Sequence, residues 1–387
     1  MTLLGAAAVV LAGRVCRPGW VQISGGRIAG CGPGDPPQPA DLDFPDAIIV
    51  PGFVDMHVHG GGGASYAAAD GAEIARAATF HRSCGTTSTL ASLVTAAPGA
   101  LRDAVAALAE ATRRRVVAGI HLEGPWLSAA HCGAHHADAL RAPDPAEVDA
   151  LLAAGDGAIR MVTLAPELPG SAEAIRRFTA AGVVVAVGHT DADYAQTRQA
   201  IRAGATVGTH LFNAMRALHH REPGPALALL EDPRVTVELI ADGAHLHPAV
   251  VRRVIDTAGP HRVALITDAI AAAGAGDGAY RLGGLDVDVV GGVARVRGTT
   301  TIAGSTTTMD RVFRTVVGDL GASDEALAAA VQLTATTPAR ALGLDDVGAL
   351  RAGAAANLVV LDQDLRVARV MADGDWQPFA TLDPVST

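Results

Sequence analysis

One pattern constrains the fold of this 387-residue chain more than any other: a short β-branched apolar run followed by an alanine-rich helical stretch, repeated eight times. The runs are Val54–Val58, Thr86–Ser92, Val116–Leu122, Ile159–Leu164, Val183–Val187, Ala205–Thr209, Val235–Ile240 and Val263–Thr267. Nearly continuous apolar runs of this length suit parallel strands covered on both faces. Helix signals lie between them: Ser171 is placed to cap a helix that carries Ile175 and Phe178 on one face, and Gly182 to end it. Eight such units predict a TIM-like (β/α)8 barrel over residues 51–344. The alternation and paired glycines of Tyr280–Val296 interrupt the rhythm and read as an inserted hairpin after the eighth strand.

The two ends of the chain differ from the middle. Residues 1–50 alternate short apolar runs with glycine turns and continue into the loop Pro33–Pro39, and residues 345–387 contain two further strands, Asn357–Asp362 and Val367–Met371. Chain termini often lie close together, so both ends are expected to share a small β-sandwich domain beside the barrel. The net charge is −10 and arginine is nowhere concentrated, which argues against a nucleic-acid partner. The apolar stretch Leu3–Gly13 is too short to span a bilayer and has no basic leader, so no membrane partner is expected. Cys16, Cys31, Cys84 and Cys132 form no CxxC pair, a pattern that fits reduced thiols in the cytoplasm.

Function is written at the ends of the runs. His57 and His59 close the first, Glu123 follows the third, His189 the fifth and His210 the sixth; His245 lies just past the seventh and Asp268 closes the eighth. A barrel gathers these ends on one rim, the face on which barrel enzymes carry their sites. Imidazoles and carboxylates without a thiolate suit a divalent metal, zinc foremost, with iron, manganese, cobalt or nickel as alternatives. Residues two apart on a strand point the same way, so His57 and His59 can reach one ion. All 30 basic residues are arginine. Without lysine the chain has no P-loop, no Schiff base and no carbamylated-lysine metal bridge.

The motifs PGFVDMHVHG at 51–60, HLEGPWL at 121–127, GHT at 188–190, THLFNAM at 209–215, REPG at 221–224, ADGAH at 241–245, TDA at 267–269 and IAGS at 302–305 cover most of the chain. In type and order the chain resembles the amidohydrolase superfamily, and within it the HxH-containing branch of N-acetylglucosamine-6-phosphate deacetylases. The resemblance implies metal-dependent hydrolysis of the N-acetyl group of N-acetyl-D-glucosamine 6-phosphate to D-glucosamine 6-phosphate and acetate. It implies that Glu123, His189 and His210 hold the catalytic metal, that His57 and His59 hold a second, and that one or two ions bind per subunit. It further implies Asp268 as general acid and base, His135 as the oxyanion's helper, and Asn213, the Ala214 amide, His245 and Ile302 as substrate contacts. Arg221, in this reading, crosses to the neighbouring subunit's phosphate in a homodimer.

The alternatives keep the barrel and change the substrate, to N-acetylgalactosamine 6-phosphate or a cyclic amide, or abandon chemistry for a non-catalytic scaffold. His121 reads as buried support, and Asp55 as a residue that orients His57 or caps a turn. His219 and His220 read as solvated loop, while His81, His131, His136, His247 and His261 read as structural. Gly60–Gly63 reads as a flexible stretch beside the site, since no P-loop helix follows it. Cys132, just before Gly133-Ala134-His135, reads as an apolar filler on a lid loop.

Overall fold

A computed structural model describes residues 1–378. Eight parallel strands form one sheet: β1 (Phe53–Val58), β2 (Thr86–Leu93), β3 (Gly119–Glu123), β4 (Ile159–Leu164), β5 (Val184–Val187), β6 (Ala205–Gly208), β7 (Thr236–Ile240) and β8 (Val263–Ile266), each beside its neighbour in chain order. The sheet curls until its two ends meet. There the Asp268 N–H donates to the His57 carbonyl at 2.9 Å and the His59 N–H to the Ala269 carbonyl at 2.8 Å, so the site-bearing rim is stitched closed. The architecture is the expected (β/α)8 barrel.

Helices Gly71–Ser83, Pro98–Arg113, Pro145–Gly155, Ser171–Ala180, Tyr194–Ala203, Gly224–Glu231 and Pro248–Ala258 follow β1 to β7 in turn, and Met309–Asp319 follows β8 and an inserted sheet. Ser171–Ala180 buries Ala174, Ile175 and Phe178, as its spacing requires. Its cap differs from expectation. Gly170 takes the N-cap position with φ of 89°, and Ser171 is the first helical residue, its hydroxyl donating to the Ala165 carbonyl at 2.8 Å. Strand β3 starts three residues later than its apolar run because the preceding helix uses that stretch to terminate: Arg115 turns left-handed and the Val116 N–H returns to the Ala111 carbonyl. The shift carries Glu123 into the last position of the strand.

By internal packing the chain divides into two units, one of Met1–Asp55, Thr79–Ser88 and everything from Thr308 onward, the other of Met56–Ala78 and Thr89–Thr307. In the first, both chain ends build one eight-stranded sheet. Leu42–Pro51 lies parallel to Thr2–Leu11 on one side and antiparallel to Leu358–Leu361 on the other, with Val50 opposite Val359. Leu4, Val9, Val21, Ile49, Leu358 and Val360 form its buried core.

In the second unit, the insertion after β8 is two successive hairpins rather than one: Gly278–Leu282, Leu285–Val290 and Val293–Val296. Gly291 and Gly292, at φ of 59° and 76°, supply the paired left-handed residues that a tight type I′ turn demands. The Gly60–Gly63 stretch is also ordered, in contrast to the flexible loop expected. Gly60–Gly61 pairs with Ala64–Ser65, and the N–H groups of Gly60, Gly62 and Gly63 are consumed by the carbonyls of Ala269, Ala273 and Ala271. A Cβ on Gly60 would lie 2.3 Å from the Ala64 carbonyl oxygen, so only glycine fits. Among the described residues, no helix is long and apolar enough to cross a membrane.

Candidate active site

The C-terminal ends of the strands bring the rim residues together around Glu123. His189 Nε2 and His210 Nε2 each lie 3.0 Å from Glu123 Oε1, while His59 Nε2 lies 3.1 Å from Oε2. His57 Nε2 approaches Oε1 at 3.4 Å. Asp268 Oδ1 sits 3.2 Å from His59 Nε2 and 3.5 Å from His57 Nε2. His57, His59 and Glu123 form one cluster with metal-ligand spacing, and Glu123, His189 and His210 form a second that shares the carboxylate.

Three of the four imidazoles are fixed from behind. His57 Nδ1 is 3.2 Å from Glu238 Oε2, His59 Nδ1 is 3.1 Å from the Ser92 carbonyl and His189 Nδ1 is 3.0 Å from the His131 carbonyl. Donation from each Nδ1 leaves the Nε2 lone pair facing inward, the arrangement usual for metal-binding histidines. The inward nitrogens crowd one another, His189 against His210 at 3.0 Å and His57 against His59 at 3.3 Å. Facing lone pairs at that distance call for a cation between them, and a donor set of imidazoles and a carboxylate suits a divalent ion.

The protonation equilibria express the same demand. Burial works against a charge on His57, yet Glu123, Asp268 and Glu238 together hold its pKa well above the ordinary value. Burial also opposes charge on His59, but Asp268 and Glu123 raise it to about 9. On the acidic side burial would lift Asp268, and the two histidines instead hold it at about 2. The site is a buried negative cup that takes up positive charge.

His135 plays a different part. Its Nδ1 accepts from the Thr95 N–H at 3.2 Å, so in the neutral ring the proton is on Nε2, which points into the cup 3.3 Å from Glu123 Oε2. Burial, assisted by the charge of His189, lowers its pKa to about 4 and keeps it a neutral donor. His121 belongs to neither cluster: its ring packs against that of His57, centroids 4.5 Å apart, and its nitrogens contact Ser92 Oγ at 2.9 Å and Thr163 Oγ1 at 2.8 Å.

Above these groups is a cavity of about 390 Å3 lined by His59, Glu123, His135, His189, His210, Asn213, Ala214, His245, Asp268 and Ile302, with Val94, Leu282 and Thr301 among the additions that sequence did not indicate. His57 is fully buried and is not part of the lining. His245 is paired with Asp242 at 2.8 Å; burial opposes its charge, and Asp242 and Asp268 raise its pKa. Arg221 does not line the cavity. It sits on an exposed loop with its guanidinium 2.7 Å from His220 Nε2. Cys132 also lies outside the lining, its sulfur 3.8 Å from the Gly133 carbonyl oxygen.

The backbone around the cup is strained at the residues that matter. His189, His210 and Asp268, none of them glycine, have φ of 47°, 24° and 49°, and Phe212 and Ala214 follow at 76° and 49°. Left-handed non-glycine residues cost of order 1–3 kcal/mol each and persist where the surroundings impose them, most often at functional sites. Sequence reasoning missed Glu238. The available signal was a lone carboxylate inside the apolar run Thr236–Ile240, where only a buried partner makes the charge tolerable.

A parallel barrel whose rim carries paired histidine–carboxylate clusters defines a metal-dependent barrel hydrolase. The model of the Amidohydrolase family matches residues 48–377, and the chain belongs to that family. The N-acetylgalactosamine-6-phosphate deacetylase of Escherichia coli O157:H7 is 38% identical over 350 residues, covering 89% of this chain and 91% of its own. The human N-acetylglucosamine-6-phosphate deacetylase is 38% identical over 350 residues, covering 86% and 84%. Among solved structures, a Mycobacterium smegmatis N-acetyl-D-glucosamine-6-phosphate deacetylase, an aspartate-to-alanine variant in complex with N-acetyl-D-glucosamine 6-phosphate, superposes with a TM-score of 0.95 at 55% identity, covering 97% of this chain and 98% of that one.

Proposed function

We propose that the chain hydrolyses the N-acetyl group of N-acetyl-D-glucosamine 6-phosphate, releasing D-glucosamine 6-phosphate and acetate. The observation that carries this reading is the shared carboxylate: Glu123 turns Oε1 to His189 and His210 and Oε2 to His59, so one residue serves both clusters. His57, His59, Glu123, His189 and His210 would hold one or two divalent ions, zinc first among them, with Glu123 as the bridge. A metal held there supplies polarisation of the amide carbonyl and a water whose pKa falls toward ~7.

The residues of the chain do the rest. Asp268, an ionised carboxylate beside the cup, accepts the proton of the attacking water and returns it to the departing nitrogen, which then leaves as a neutral amine. His135 donates a hydrogen bond from its Nε2–H to the oxygen that becomes anionic as the carbonyl carbon turns tetrahedral. The left-handed residues Phe212 and Ala214 turn this segment along the cavity wall, and the place of Asn213 and Ala214 in its lining supports Asn213 and the Ala214 amide as phosphate contacts. His245, whose charge is favoured by Asp242, adds a cation where no lysine exists, and Ile302 covers the sugar.

Arg221 is exposed and outside the cavity of its own chain, which supports a homodimer in which it serves the neighbouring site. The catalytic domain in this reading is residues 51–344, flanked by the small β domain of 1–50 and 345–387. Four free cysteines support work in the cytoplasm. The galactosamine epimer is the second reading, since a relative of that name is as similar as the human glucosamine enzyme.

The test is a metal-resolved assay. Chelator-treated protein is reloaded with zinc, iron, manganese, cobalt or nickel and offered both epimers of the acetylated sugar phosphate, unphosphorylated N-acetylglucosamine and dihydroorotate. Preference for the glucosamine phosphate is expected; preference for the galactosamine phosphate selects the second reading, and acetate release from neither ends both.

A further inference from the structure

Beside the reaction cavity lies a second one, of about 750 Å3, with a mostly apolar lining. The wall between them is one residue thick. Val94 faces both cavities. Thr95 lines the outer cavity while its N–H and hydroxyl hold His135, which faces the reaction. The neighbouring segments divide in the same way: His135 faces inward and His136 outward, Leu282 inward and Gly283 outward. The wall is also sealed, because a Cβ on Gly283 would lie 2.6 Å from Val94 Cγ2.

With the carbonyl oxygen at His135 Nε2 and the nitrogen toward Asp268, the third substituent of the acyl carbon, its alkyl end, is left to the apolar side chains flanking His135. Those are Val94, Ala134 and Leu282, members of one buried cluster. We propose that Val94 restricts the acyl group to acetyl, and that the outer cavity is a closed-off chamber for longer linear acyl chains on the same amino sugar phosphate. The proposal rests on the deacetylase reading and names a specificity determinant within it. The chemistry is unchanged: water's oxygen bonds to the acyl carbon, the C–N bond breaks and the proton goes to the amine.

The experiment compares kcat/KM for N-acetyl and N-butyryl glucosamine 6-phosphate. The wild-type enzyme should prefer acetyl by about tenfold or more, as a well-packed pocket does against extra methylenes. Val94→Ala should lower that preference by about tenfold, since each methylene received by an apolar chamber is worth about fourfold. Val94→Thr, which keeps the volume, should leave the preference as in wild type. Ala100→Trp, which fills the outer cavity from its exposed rim, should leave acetyl turnover unchanged alone and cancel the butyryl gain when combined with Val94→Ala. Should Val94→Ala fail to fold, Leu282→Ala thins the same wall from the inserted sheet and carries the same expectation. An unchanged acetyl-to-butyryl ratio in the thinned enzyme, with acetyl turnover intact, overturns the assignment. A wild-type enzyme inactive on the acetyl substrate removes the deacetylase reading itself, and this proposal with it.

Discussion

Glu238 Oε2 lies 3.2 Å from His57 Nδ1, with both side chains wholly buried, and the same oxygen accepts the backbone N–H of His210 at 3.2 Å. One carboxylate from β7 thus orients the β1 histidine and anchors the turn that carries the β6 histidine. It joins the two ligand clusters from beneath as Glu123 joins them from above.

Glu238→Gln keeps the volume and removes the charge. Partners behind metal ligands typically contribute 10–100-fold to metal affinity, so the variant should bind its weaker ion 10–100-fold less tightly and lose activity unless metal is added in excess. Elemental analysis after dialysis, read against a competing chelator, measures this directly. Metal content equal to wild type at every chelator concentration would show that the contact does not tune the site.

Asp268→Asn separates metal binding from proton transfer. The amide cannot accept the water's proton, so kcat should fall by about 10²–10⁴ while the ions stay bound. Metal analysis together with kcat distinguishes this from a ligand loss, and turnover within threefold of wild type would dismiss Asp268 as the base.

How much of this was readable in advance depends on whether the information was local. The seven rim residues could be picked out because each stands at or just past the end of a strand, and the barrel places strand ends together whatever the side-chain details. Glu238 could not be assigned a role, since its partner is 181 positions away and they meet only when the barrel closes. The start of β3 was misplaced because a helix end competed for Val116, and apolar content does not reveal which backbone partner wins. The wall at Val94 required knowing where the inserted hairpins fold, which their alternation does not encode.

His121 gives the protein an acid-labile interior. Burial, reinforced by the charge of His57, holds its pKa well below the ordinary value, and its two hydroxyl partners accommodate the neutral ring. The folded pKa is lower than the unfolded pKa of ~6.5, so above that pH the group leaves stability unaffected. As pH falls below it, only the unfolded chain takes up the proton, and stability drops by up to ~1.4 kcal/mol per pH unit until the folded ring also titrates. Urea unfolding of metal-loaded protein at pH 7.5, 6 and 5 should show this slope, and His121→Gln should lack one proton's share of it. Parallel slopes in the two proteins would mean that His121 takes up its proton over the same pH range folded as unfolded.

Arg221 tests whether the site is built by one chain or two. Its guanidinium is exposed and points to His220, not to its own cavity, although the phosphate of the proposed substrate needs a fixed cation and lysine is absent. Arg221→Ala should therefore raise KM for the phosphorylated substrate by about 10–100-fold, with a smaller effect on kcat and little on the unphosphorylated sugar. Mixing is more decisive. Arg221→Ala subunits retain Asp268, and Asp268→Asn subunits retain Arg221; unfolding and refolding the two together creates heterodimers with one complete site. Activity of the mixture should exceed that of either variant alone at the same total concentration, and sedimentation should report a dimer. A monomeric chain, or a mixture no more active than its parts, would assign phosphate binding to His245 and the 210–214 turn of the same subunit alone.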